Sequence, residues 1–268
     1  MQEKNSLSAA VPILISAFFV FTPIAVLLAI AREHPRVPAE DYTRAVRETM
    51  RPDSARVLHS LVSVDLNQPV TVVSWMRRNQ AQDYKGKTTP EYKNTWVTVA
   101  PRLKSFCQDY VKAQGADPEK LTLRLEQRLG LPPGAHYDSF VELKVDHPED
   151  ITKFFRPCKN PSPSGSNTCD PIFPPMEEPE EIKDKIKSLD LRSNSEADKY
   201  WLLSKYFRSF ASSHPHTWTS LGYTFDWAPK EDGSEDFVRW GESEFVISPG
   251  APIQFVSVTD TVAYCTPQ

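Results

Sequence analysis

The chain has 268 residues, with 31 Lys and Arg against 35 Asp and Glu and a formal net charge of -4. Its 25% charged and 40% hydrophobic residues are typical of globular proteins, which excludes a disordered chain, a collagen-like chain and a polytopic membrane protein. The acidic balance argues against general nucleic-acid binding, which needs a basic face, so no nucleic-acid partner is expected. The chain has only 9 glycines, which leaves little room for phosphate-binding loops.

The N-terminal segment 9–31 is apolar and lies in a stretch without charged residues. As a helix of about 23 residues it would be about 34 Å long, enough to cross a hydrocarbon core of about 30 Å. We therefore predict a single-pass membrane anchor over residues 1–31, with 9–31 as the membrane contact. A cleaved signal peptide is the alternative, because Ala29-Ile30-Ala31 has the small-x-small pattern of a cleavage site.

Residues 32–66 are polar and predicted to form a juxtamembrane neck. Residues 67–268 are expected to form one exported α+β domain with a proline-rich loop at 157–182. The orientation signals conflict. Four arginines follow the apolar segment and favour a cytoplasmic domain by the positive-inside rule, whereas the cysteines favour export. These arginines are Arg32, Arg36, Arg44 and Arg47.

Periodicity and end signals predict the elements of this domain in chain order. Strands are expected at 70–76 and 95–99, helices at 101–114 and from 118 to about 129, a strand at 140–145 and a helix at 197–212. Five short apolar or alternating runs follow, at 221–227, 236–240, 244–248, 253–258 and 261–265, separated by turn residues. They predict a C-terminal antiparallel β-meander, and the whole order favours α+β over a regular βαβ series.

The four cysteines lie outside the apolar segment. Cys158 and Cys169 bracket a polar loop, whose closure by a disulfide would stabilise the fold by about 3 kcal/mol. Cys107 and Cys265 would then pair. Four cysteines allow three connectivities, and four reduced cysteines are the alternative. No pair has the close spacing of a structural zinc site, and an even number of cysteines favours disulfides and a domain facing the periplasm or exterior.

Aromatic residues are concentrated between Tyr200 and Trp240, where 41 residues include eleven aromatics and four of the six tryptophans. Such rings can stack on the apolar faces of sugars, with Asp226, Glu242 and Glu244 as hydrogen-bond acceptors. The alternative is a hydrophobic core, because aromatic side chains dominate core burial. The candidate ligand-binding residues are Trp218, Tyr223, Trp227 and Trp240.

A candidate metal site combines His214, His216 and Asp226. Two histidines at i and i+2 on an extended chain point to the same side, and a carboxylate can complete the ligand set. The H-x-H pattern is common and Pro215 restricts its geometry, so a structural or surface role is the alternative. No cofactor is predicted, since the nucleotide-binding, zinc-protease and thiol-redox motifs are all absent from the sequence.

The blocks TWVTVAPRLKSFC, FFRPCKNP, HPHTWTSLGYTFDW and TVAYC resemble an uncharacterised family of exported bacterial proteins with four cysteines. The resemblance covers roughly residues 70–265. It implies that the cysteine-bounded loop and the C-terminal strands belong to one recurring unit. It carries no activity and no functional residue over to this chain.

Together these features predict a membrane-anchored extracytoplasmic binding or scaffold module, whose ligand is an envelope protein or a cell-envelope glycan. The resemblance implies that the anchor lies in the bacterial inner membrane. The lack of a catalytic motif weighs against an enzyme. The alternative is an envelope hydrolase that uses a carboxylate or a metal site near His214, His216 and Asp226.

Overall fold

The computed structural model describes residues 37–50, 60–89, 93–159, 162–164, 169–171, 196–211, 214–234 and 236–267. They belong to one compact unit that begins at Val37. No helix within these ranges is long and apolar enough to cross a membrane. The predicted fold class is corrected accordingly: the described fold contains no membrane helix, and the apolar segment 9–31 lies outside the described residues.

Helices and strands alternate irregularly along the described chain. The helices are α1 (Pro38–Thr49), α2 (Arg78–Gln82), α3 (Ala100–Gln114), α4 (Pro118–Arg128), α5 (Glu196–Ala211) and α6 (Thr261–Cys265). The strands are β1 (Val70–Met76), β2 (Thr95–Val99), β3 (Ser139–Val145), β4 (Phe154–Phe155), β5 (Tyr223–Pro229), β6 (Phe237–Ile247) and β7 (Ile253–Asp260).

The seven described strands form one antiparallel sheet in the order β4-β6-β2-β1-β3-β7, with β5 paired to β6. The central strand β1 pairs with β3 along its whole length, from Val70 opposite Val145 to Met76 opposite Ser139. The first part of β6 forms a hairpin with β5, and its last part pairs with both β2 and β4. Helices and an antiparallel sheet together make an α+β arrangement.

Both faces of the central sheet are buried, which explains the continuous apolar run of β1. Val72 and Met76 contribute to one hydrophobic cluster, and Val73 and Trp75 to another on the opposite face. Side chains alternate across a strand, so a strand covered on both sides must be apolar at successive positions. The second cluster includes residues from α3, α4 and α6.

The ends of α3 and α4 follow the signals in the sequence. The Asp117 side chain caps α4 by accepting hydrogen bonds from the backbone N–H groups of Glu119 (3.0 Å) and Lys120 (3.2 Å). Gly115 ends α3 with a φ of 85°, a conformation that side chains with a Cβ disfavour. The helices predicted at 101–114 and from 118 are confirmed.

The predicted C-terminal meander is wrong. Runs 236–240 and 244–248 form the single strand β6, which continues through Gly241. Gly241 is required there because a Cβ would collide with the Thr224 side chain and the Arg128 carbonyl. β7 pairs with β3 instead of β6, and the run 261–265 forms helix α6, which begins where Asp260 accepts a hydrogen bond from Val262 N.

The cysteines form the two expected pairs. Cys107 of α3 is bonded to Cys265 of α6, with Cα atoms 5.1 Å apart, and Cys158 to Cys169, with Cα atoms 6.0 Å apart. No cysteine is free. The first disulfide joins two helices that cover the same face of the sheet, and the second closes the polar loop.

Part of the predicted neck, 32–66, packs onto the sheet. In α1, the buried side chains of Tyr42, Ala45 and Val46 contact a cluster with Phe225 and Trp227 of β5. The helix has Pro38 in its first turn and acidic residues beside it, which are typical start signals. The compact unit therefore includes α1.

Candidate functional site

A cleft of about 400 Å³ lies between the sheet and α5. Residues of β1, β2 and β6 line it, together with Lys205 and Ser209 of α5 and the segment 216–218. Ligand-binding clefts for small molecules commonly have volumes of 300–1,000 Å³. The cleft is therefore large enough for a small ligand.

Aromatic side chains form much of the cleft wall. Trp75 of β1 contacts Tyr137 edge to face, with ring centroids 5.6 Å apart. Trp96 of β2 makes a similar contact with Trp218 at 5.8 Å. Tyr84 also lines the cleft, and its hydroxyl is hydrogen-bonded to Thr95 at 2.6 Å. These rings offer flat apolar surfaces on which a ligand can stack.

The register of the sheet places polar side chains beside these rings. Trp96 and Thr98 alternate with Val97 on β2, so both point to the same face of the sheet. Thr98 lies directly between Val73 of β1 and Glu244 of β6. Directly opposed residues of antiparallel strands share a face, which brings Glu244 next to Thr98 and Trp96.

Three buried oxygen atoms of the cleft residues have no hydrogen-bond partner within the described part of the chain. They are Asn94 Oδ1, Thr98 Oγ1 and Glu244 Oε1. Thr98 is 5% exposed and Glu244 is 7% exposed. A buried polar atom without a partner costs about 1–3 kcal/mol, and most such atoms in native proteins are paired. Three of them line one cleft, which leaves these oxygen atoms within reach of a ligand that enters it.

Burial raises the pKa of Glu244 to about 8, although the Trp218 indole and the charge of Arg156 act in the opposite direction. The carboxyl group is thus protonated and neutral at pH 7. In this form it has one hydrogen to donate and retains acceptor capacity. Of the described residues that line the cleft, Glu244 is the only carboxylic acid.

Positively charged side chains also line the cleft. They are Lys93, Lys205 and, when protonated, His216. The Lys205 ammonium lies 5.6 Å from the centre of the Trp201 ring. Burial lowers the pKa of Lys205, and the nearby charges of Arg208 and Lys93 lower it further. The cations are therefore close enough to repel one another.

The four predicted ligand-binding aromatics have different surroundings. Trp218 lines the cleft. Tyr223 and Trp227 are fully buried in two hydrophobic clusters, and the Trp227 indole donates a hydrogen bond to the Leu131 carbonyl at 3.0 Å. Trp240 is 48% exposed and does not line the cleft. The structure thus brings one of the four to the cleft.

The predicted metal ligands are not brought together as a donor set. His214 and His216 lie on the surface, whereas Asp226 is completely buried. Asp226 accepts two hydrogen bonds from Arg124, at 3.0 and 2.8 Å, in a paired geometry that satisfies both carboxylate oxygens. Among the described residues, no group of three or more His, Cys, Asp or Glu side chains could hold a metal ion.

A second arginine of α4 extends this charged cluster. Arg128 contacts Asp226 at 3.5 Å and Glu242 at 2.6 Å, and the guanidinium groups of both α4 arginines lie over the Phe106 ring. Glu242 is 1% exposed. The cluster fastens α4 to the β5–β6 hairpin, so its carboxylates have a structural role.

Sequence reasoning did not identify most of the cleft residues. Trp96 and Thr98 were assigned only to a strand, and Asn94, Lys93 and Lys205 were not singled out. The alternation in TWVTV does predict that Trp96 and Thr98 share a face. Which face of β2 lines the cleft depends on how β2 pairs with β1 and β6. These strands lie elsewhere in the sequence.

Comparisons with protein families, with curated proteins and with solved structures find no match to this chain. The resemblance to exported bacterial proteins with four cysteines therefore stays a prediction. The functional argument rests on the cleft and its chemistry.

Proposed function

We propose that the protein is an extracytoplasmic binding module that takes a carbohydrate into the cleft lined by Trp96, Thr98 and Glu244. The observation that carries this proposal is the combination of aromatic walls with three buried oxygen atoms that lack partners. A sugar can fill both roles, because its C–H faces stack on aromatic rings and its hydroxyl groups donate to oxygen atoms.

The shape of the site favours a glycan over a partner protein as the ligand. Protein interfaces bury about 800 Å² on each partner, whereas small ligands occupy concave clefts. A concave site of about 400 Å³ belongs to the second class. The two disulfides support action in an oxidising compartment, since such bonds persist outside the reducing cytoplasm.

The hydrolase alternative has one supporting group, the protonated carboxyl of Glu244, which has the form of a general acid. Most glycoside hydrolases need a second carboxylate on the other side of the bond that is cleaved. None of the described cleft residues supplies this second carboxylate. Asp226 and Glu242 do not supply it either, because Arg124 and Arg128 hold them in ion pairs. Binding without hydrolysis therefore accounts better for this arrangement.

Calorimetric titration of the purified, oxidised chain with neutral and acidic oligosaccharides tests the proposal. We expect saturable binding that Trp96→Ala weakens by about tenfold or more, because the variant removes a stacking surface. Trp240→Ala is the matched control, since its exposed ring lies outside the cleft, and it should bind as the wild type does. The absence of binding at about 1 mM of oligosaccharide would contradict the proposal, and so would an equal loss of affinity in both variants.

A further inference from the structure

Positively charged side chains collect at the cleft, and the described residues that line it include a single carboxylic acid, Glu244. In the part of the chain that the structure describes, Lys93, Lys205 and His216 all line the cleft and none of them forms an ion pair with a carboxylate. Some charged side chains elsewhere are paired, as Lys112 is with Asp109 at 3.2 Å, whereas the described lysines Lys85 and Lys120 form no ion pair with a described carboxylate. The cleft is distinguished by the grouping of three such side chains around one concave site.

The cations at the cleft lie close enough to lower the pKa of one another. Burial and the charges of Arg208 and Lys93 destabilise the charged ammonium of Lys205, which lowers its pKa. His216 is exposed overall, yet packing around its ring lowers its pKa, and the charges of Lys205 and His214 lower it further. Like charges that cost free energy in the unliganded protein are typical of sites that receive an opposite charge.

The acid within the cleft does not cancel this charge. Burial raises the pKa of Glu244 to about 8, so its protonated form predominates at neutral pH. The other titratable groups of the described cleft wall that can carry charge there are the two lysines, with a contribution from His216 when it is protonated. A cleft with one sign of charge and low-dielectric walls concentrates ions of the opposite sign. The aromatic rings beside the cations supply the apolar surface that a free inorganic ion would not use.

We propose that the ligand is an acidic saccharide, whose anionic group is bound by Lys93, Lys205 and His216 while its hydroxyl groups bond to Asn94, Thr98 and Glu244. This inference rests on the proposed function and adds the charge class of the ligand. Lysine ammonium groups bind carboxylate and phosphate alike as point charges, so the shared chemistry is an anion carried on a sugar.

The test is calorimetry of the full chain with three probes: trigalacturonate, its neutral counterpart galactotriose, and glucose 6-phosphate. Inorganic phosphate alone is the fourth titrant. We expect one of the two acidic saccharides to bind at least about tenfold more tightly than galactotriose. Its affinity should fall as salt is raised from about 0.1 M to about 1 M. The double variant Lys93→Gln/Lys205→Gln should lose this preference and keep the affinity for the neutral sugar.

The matched control is Lys112→Gln/Lys120→Gln, which removes the same charge from exposed positions on α3 and α4 outside the cleft. It should retain the preference for the acidic sugar. Equal affinity for neutral and acidic sugars would overturn the inference and leave the proposed function standing. Binding of inorganic phosphate as tight as that of the acidic sugars would overturn it too. Failure of every sugar to bind would overturn both.

Discussion

The side chain of Glu244 shows how burial changes a single ionisable group. In the unfolded chain its carboxyl has an ordinary pKa, and in the folded protein burial raises the pKa to about 8. Between about pH 4.5 and about pH 8, the Glu244 carboxyl is protonated in the folded state and ionised in the unfolded state. The free energy of unfolding therefore falls as pH rises from about 4.5 to about 8, and becomes independent of this group above that range.

We predict that Glu244→Gln removes this pH dependence. The amide cannot ionise, so the variant should gain stability relative to the wild type as pH rises, on the order of 3 kcal/mol between pH 5 and pH 8. Urea unfolding at several pH values measures the difference. Glu231→Gln, at an exposed position, is the control and should follow the wild type. A constant difference between Glu244→Gln and wild type across this range would contradict the assignment.

At the residue scale the sequence identifies types of side chain better than their partners. The sequence makes Asp226 a candidate metal ligand because a carboxylate can complete a ligand set with the histidine pair that precedes it. Its actual partners, Arg124 and Arg128, lie 102 and 98 residues away. Contacts of this range depend on the pairing of β5 with β6 and on the docking of α4, which no local pattern encodes.

The α3–α6 connection illustrates the element scale. Helix α6 has five residues, too few for a stable helix by itself. Its Tyr264 ring stacks on Phe140 at 4.3 Å, and Cys265 bonds it to α3. The short helix is held in place by these contacts with the rest of the domain.

We predict that the two disulfides contribute unequally to stability. The Cys107–Cys265 bond spans 158 residues and the Cys158–Cys169 bond spans 11. In the loop-entropy model, their removal lowers the free energy of unfolding by roughly 5 and roughly 3 kcal/mol respectively. Denaturant unfolding of Cys107→Ala/Cys265→Ala and of Cys158→Ala/Cys169→Ala measures this. A larger loss for the second pair would contradict the account.

Elements with strong local signals were predictable, and those set by distant contacts were not. The cap of Asp117 and the stop at Gly115 are local, and the structure confirms both helices. The run at 261–265 has the composition of a strand, yet it is a helix because Asp260 caps it and β7 has already ended. The sequence predicts a turn at Gly241, whereas in the structure this glycine permits the close approach of β6 to Thr224 and Arg128.

At the scale of the whole molecule, the cleft assembles segments that lie far apart in the sequence. Residues 73–76, 93–98 and 216–218, with Lys205 and Glu244, meet only after the sheet and α5 are in place. The aromatic-rich region 200–240 supplies side chains to both the core and the cleft wall. Its division between core and cleft follows from strand register, since Trp218 lines the cleft while Trp227 faces α1.

The central claim is that a ligand bonds to the oxygen atoms of the cleft that have no partner among the described residues. The variant Thr98→Val tests this claim most directly. Thr98 is buried and its hydroxyl has no partner in the described part of the chain, so replacing it with an apolar group of similar shape should leave the unliganded protein equally stable or more stable. The same change should weaken ligand binding, because it removes the Thr98 hydroxyl that bonds to the ligand. This hydroxyl contributes nothing to the stability of the unliganded protein.

The measurement is the thermal unfolding midpoint of wild type and Thr98→Val, each with and without trigalacturonate at about one hundred times its dissociation constant for the wild type. The account predicts that the ligand raises the wild-type midpoint by roughly 5 °C or more and the variant's by clearly less, while the unliganded variant unfolds no earlier than the wild type. A variant that unfolds earlier without ligand, yet keeps the full ligand-induced shift, would contradict it.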